Sequence, residues 1–90
     1  MMKACGEVLL REVVGEYVLV PFGETALRIH GMICLSESGA CLWRALQEEQ
    51  TEESLVDCLL KEYETDRDTA HRDVKDFLDQ LRQLQLLAEV

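Results

Sequence analysis

Met32-Ile33-Cys34-Leu35-Ser36-Glu37-Ser38-Gly39-Ala40-Cys41-Leu42-Trp43 is the stretch in which this chain changes period. Met32 to Leu35 is an apolar run of strand length. From there Leu35, Gly39, Leu42, Trp43 and Leu46 recur at helical spacing. Ser36 or Ser38 can cap the helix by accepting hydrogen bonds from its free N–H groups. Gly39 in the first turn weakens a helix by about 1 kcal/mol relative to alanine, which predicts a neighbour packed close to it. Trp43, between Gly39 and Leu46, reads as a core residue. Strand patterns lie before this switch and helix patterns after it.

Upstream, residues 8–14 and 17–21 are two aliphatic, β-branched runs. The Gly15-Glu16 break between them predicts an antiparallel hairpin. Pro21 cannot donate a ladder hydrogen bond and should end the second strand. Residues 22–25 form a loop. Ala26 to His30 alternates in part, so the third strand is expected to run through this segment and Met32–Leu35, broken or bulged at Gly31.

Downstream, the first helix ends in the polar residues 47–50. Thr51 is a cap candidate, and Glu52 and Glu53 sit where the positive end of a helix dipole favours them. Leu55, Val56, Leu59, Leu60 and Tyr63 form one apolar stripe. Thr65-Asp66-Arg67-Asp68 resembles a capping box. The last helix should run from about Asp66 to Gln83, with Ala70, Val74, Phe77, Leu78, Leu81 and Leu84 on its apolar side, before Leu86-Leu87 returns to the core. The expected fold is α+β and winged-helix-like. An N-terminal three-stranded antiparallel sheet is followed and covered by three helices, in a single domain over residues 1–90.

The chain has 90 residues, of which 48% are hydrophobic and 30% charged, a globular composition. At this size the core is thin and there is no room for a separate cofactor domain. The net charge is −9. Nine acids and two bases fall in residues 48–68, while the flanking segments are nearly balanced. Such a charge disfavours nucleic acid and anionic membrane surfaces as partners. No apolar run approaches the length of a membrane span, and residues 1–7 lack a signal-peptide core, so a cytoplasmic protein is expected.

Cys5, Cys34, Cys41 and Cys58 show no C-x-x-C spacing, and His30 and His71 lie far apart, so no metal site is expected. The thiols read as buried, reduced, small hydrophobes. Glu48-Glu49 and Glu52-Glu53 share similar solvated surroundings and lack the contrast in environment that acid–base catalysis needs. His30 has nothing near it in sequence to complete a site. No phosphate loop or nucleophile elbow occurs. A binding module without cofactor or catalysis is the reading of the residues.

Leu35 through Leu46, continuing through Thr51–Val56, Leu59-Leu60, Tyr63, Asp73–Leu81 and Leu86-Leu87, resembles the PqqD-like family. That family shows a Leu-Asn-x-Thr-Gly-Ala-x-x-Trp-x-x-Leu type of signature. Tyr17–Pro21 and Gly23–Leu27 also look like family strand and loop, and the likeness covers roughly residues 8–87. Ser36 and Ser38 replace the commoner Asn and Thr. His30 stands where Asn is frequent, and Gln50 and Gln85 stand where Gly is often seen, which puts local turn geometry in question.

The resemblance implies a recognition element for ribosomally made, modified peptides. It would bind the leader segment of a precursor peptide and deliver it to a modifying enzyme, such as a radical SAM protein or a leader peptidase. It further implies that the leader adds as a strand between the third strand and the last helix. An edge strand offers unpaired N–H and C=O groups to such a guest. The expected rail is Met32, Ile33, Cys34 and Leu35. The expected facing stripe is His71, Lys75, Leu78 and Arg82, basic-bordered in an acidic protein and suited to a leader with acidic and apolar residues. Alternatively Lys75 and Arg82 pair with Asp79 or its neighbours, and Leu78 belongs to the core. Rival functions are a winged-helix transcription regulator and a scaffold subunit that docks on an enzyme without touching a leader. An open sheet edge could also pair two copies as a homodimer.

Overall fold

The computed structural model describes residues 1–89. In chain order the elements are β1 (Met2–Ala4), β2 (Val8–Val13), β3 (Glu16–Pro21), α1 (Thr25–Arg28), β4 (Ile33–Leu35), α2 (Glu37–Ala45), α3 (Glu52–Glu62), α4 (Arg67–Gln83) and β5 (Leu87–Glu89). The fold is α+β, with an antiparallel sheet ordered β2-β3-β4 followed by the three long helices. Leu19 pairs with Leu10 on one side and Ile33 on the other, and these three share the sheet face turned to the helices.

Leu19, Leu42, Leu46, Leu55, Leu59, Leu78, Leu81 and Leu86 are each less than 2% exposed and form the centre of the core. Trp43 joins them at 5%. The acids of residues 48–68 are all exposed, forming the solvated face that their number implies.

The helix starts follow local chemistry. Ser36 Oγ accepts from Gly39 N at 3.1 Å. Thr51 and Ser54 form a reciprocal capping box. The cap of α4 is Asp66 rather than Thr65: its carboxylate accepts from Thr69 N at 2.7 Å, and the Thr69 side chain together with that backbone bond holds its pKa below the usual value. The end of α4 is a Schellman turn. Leu86 N donates to Leu81 O at 2.9 Å and Gln85 N to Arg82 O at 3.1 Å. Gln85 takes φ +56°, the left-handed conformation that glycine favours, so the chain keeps the turn without the glycine.

Four features depart from the sequence reading. The segment expected as the first half of the third strand is the short helix α1, and Gly31, at φ +89°, turns the chain from it into β4. Long-range contacts hold α1: Thr25 Oγ1 accepts from Glu7 N at 2.8 Å, and Arg28 donates to the carbonyls of Leu84 and Gln85, the latter at 3.1 Å. A guanidinium there also complements the negative end of α4. The hairpin turn is Val14-Gly15, both at positive φ, so β2 ends at Val13 and Glu16 already belongs to β3.

A second sheet joins the two ends of the chain, β1 against β5, with Met2 and Gln50 exchanging backbone hydrogen bonds of 2.7 Å. Finally, Cys34 is exposed and the other three cysteines are half-buried, where burial was expected. Cys34 projects to the face opposite Ile33 and Leu35. Cys41 and Cys58 approach to 3.5 Å between their sulfurs, and burial together with that contact pushes the Cys41 thiol up to about 11.

Candidate groove beside the edge strand

β4 follows directly from the apolar run that opens the switch region. It pairs only with β3 among the described residues, leaving its other margin without a strand. Ile33 and Leu35 are half-buried against the core, and Cys34 faces outward. Met32 precedes the strand and is 66% exposed.

Ser36 ends the strand and starts α2. Gly39, one turn along, is buried against α4: a Cβ there would stand 3.4 Å from the Phe77 ring and 3.3 Å from Ser36 Oγ. The expected close neighbour of Gly39 is therefore Phe77. Around this contact lies a cavity of about 370 Å³. The start of α2, from its cap one residue past β4, contributes Ser36, Ser38, Gly39 and Leu42, and α4 contributes Asp73, Asp76, Phe77 and Gln80.

Two further cavities touch the same segment. One of about 560 Å³ opens between the hairpin end and β4, lined by Glu12, Glu16, Tyr17, Cys34, Leu35 and Glu37 among others. The other, about 290 Å³, is bounded by Ser36–Ser38, Leu59, Tyr63, Thr65 and Asp73. Burial, and then negative neighbours including Cys41 and Glu37, raise the Tyr63 phenol.

The four helix residues expected to face the groove line none of these three cavities. Leu78 is 1% exposed and sits in the core. His71 Nε2 lies 3.2 Å from a carboxylate oxygen of Glu53 on α3. Arg82 is bound to Asp79 at 2.8 Å and Glu89 at 2.7 Å. Lys75 is exposed on the same flank. At about 100° per residue, this set points about 180° away from Asp73, Asp76, Phe77 and Gln80. The flank bordering the cavity by β4 is thus acidic and apolar, and the basic flank is turned toward α3 and β5.

Sequence reasoning passed over Asp73, Asp76 and Gln80. The i, i+3, i+4, i+7 spacing of these residues with Phe77 was available as a signal, but nothing in it says which flank of α4 meets β4. No three His, Cys, Asp or Glu side chains gather to hold a metal ion among the described residues, and no helix is long and apolar enough to cross a membrane.

A family model described as coenzyme PQQ synthesis protein D (PqqD) matches residues 8–87. TbiB1, solved in complex with the TbiA(beta) leader peptide, is 31% identical, with a TM-score of 0.74 over 98% of this chain and 96% of that one. Lasso peptide synthetase B1, solved in complex with its leader peptide, shares the fold with a TM-score of 0.73 at 17% identity, over 98% of each chain. No curated protein sequence matches.

Proposed function

The chain belongs to the PqqD family, and from that premise we propose that it binds the leader segment of a ribosomally made precursor peptide, without catalysis of its own, and presents it to a modifying enzyme. The observation that carries the reading is the margin of β4 left without a strand, which ends at Ser36 on a cavity between the start of α2 and α4. The likeness to TbiB1, a leader-bound structure, supports it. An incoming strand would complete the ladder of β4, its backbone supplying affinity and its alternate side chains entering the groove. The rail is Ile33, Cys34 and Leu35, and the facing wall is Asp73, Asp76, Phe77 and Gln80. A modifying enzyme would then act on the core segment that extends from the held leader.

A transcription-regulator reading gains no support, because α3 presents Glu52, Glu53, Asp57 and Glu62 to solvent where a recognition helix needs bases. The test uses the TbiA(beta) leader as probe, titrated into isotope-labelled protein. Strand addition predicts amide shifts concentrated at residues 33–35 and around Phe77. It also predicts loss of binding when alternate leader amides are N-methylated. Shifts confined to the β2 edge, or none at millimolar leader, would overturn the proposal and leave a scaffold role as the surviving alternative.

A further inference from the structure

Strand docking on β4 leaves the chemistry of the leader open. Building on that docking mode, and resting on it, we infer that the groove selects a leader rich in lysine or arginine beside its apolar anchors. The groove and the two cavities adjoining it carry five carboxylates, on three separate parts of the fold. Glu12 and Glu16 flank the hairpin end, Glu37 is in the first turn of α2, and Asp73 and Asp76 are on α4. Among the described residues none of the five has an ion-pair partner. Of the other thirteen acids, Glu53, Asp57, Asp79 and Glu89 are engaged by Arg67, His71 or Arg82 and the rest likewise lack an ion pair among the described residues, so what marks the five is their gathering around these cavities rather than their lack of a partner.

No lysine or arginine lines the three cavities. Arg44 comes near one of them but stands over the Tyr17 ring, its guanidinium carbon 5.3 Å from the centroid, where the π face engages its charge. A strand entering between β4 and α4 therefore meets Asp73 and Asp76 on the α4 wall, Glu37 just past the end of the rail, and an apolar floor of Leu42 and Phe77. Acidic residues on that strand would be repelled. Basic ones would gain both in docking and in diffusional encounter with a protein of net charge −9. This reverses the expectation of an acidic leader.

The test is a display selection of random peptides of about 20 residues on the wild-type protein and on two variants, D73K/D76K and K75E/R82E. Circular dichroism establishes that each variant is folded, and E12K/E16K replaces D73K/D76K if the latter is not. Wild type and K75E/R82E should both enrich peptides in which Lys and Arg outnumber Asp and Glu, and the groove variant should lose or invert that bias. A synthetic peptide from the wild-type selection should bind D73K/D76K about tenfold more weakly, and its affinity for wild type should fall as salt is raised. Binders that shift the β4 amides but show no charge bias, or the same bias with D73K/D76K, overturn the charge inference and leave strand docking standing. Failure to enrich any peptide that shifts the β4 amides overturns strand docking, and the inference with it.

Discussion

The two flanks of α4 carry opposite charge and end in opposite states. On one, His71 and Arg82 reach carboxylates of α3 and β5, so these two are matched within the molecule while Lys75 stands exposed. On the other, Asp73 and Asp76 border an open cavity with no ion-pair partner among the described residues. In a strongly acidic protein a base such as Arg82 has carboxylates of its own fold within reach. A basic stripe picked out by its rarity is therefore a poor guide to a binding surface. What a ligand meets is the charge left over once the fold has made its own pairs.

The comparison breaks most sharply at Leu78, which separates a core position from a groove position. Leu78→Ala should lower the unfolding free energy by about 3 kcal/mol in a urea titration, the range for a fully buried leucine. A loss well under about 1 kcal/mol would return Leu78 to the surface and reopen its flank as a wall of the site. A smaller effect, of opposite sign, is expected at the end of the same helix. Gln85→Gly relieves a left-handed side-chain conformation and should stabilise the protein by about 1 kcal/mol, read as a higher melting temperature.

The smallest effect concerns the matched flank in acid. The Arg82 hydrogen bond holds the Glu89 carboxyl below its ordinary value of 4.5. A depressed carboxylate favours the folded state above that value, and the contribution is lost as pH falls through the lower, folded one. An NMR titration of Glu89 should find its midpoint below 4.5, returning there in Arg82→Ala. No difference between the two proteins would mean that the pair does not persist in solution.

Much of the architecture was legible because helices announce themselves locally. The caps at Ser36 and Thr51, the stripe ending at Tyr63 and the inward face of α4 depend on residues a few positions apart. The segment 25–28 was misread because its partial alternation is weaker than what holds it: Arg28 reaches the carbonyls at the end of α4, more than fifty residues away. β1 and β5 are three residues each and carry no period of their own. They exist because the ends of the chain meet beside Gln50.

The groove divides the same way. The edge strand Ile33–Leu35 was visible as an apolar run before a helix cap, while nothing in the sequence said that Asp73, Asp76, Phe77 and Gln80 are the side chains of α4 that border the cavity next to it.

From the amino-acid order alone came the element types, the core-facing residues and the surplus of acid, since periodicity, capping and composition are properties of neighbouring residues. Only the tertiary structure decided which margin of the sheet runs toward α4, which flank of α4 borders the cavity there and which carboxylates gather around it. Those depend on how helices rotate and pair at a distance, and a helix pattern that specifies the buried side is silent about the two sides adjoining it.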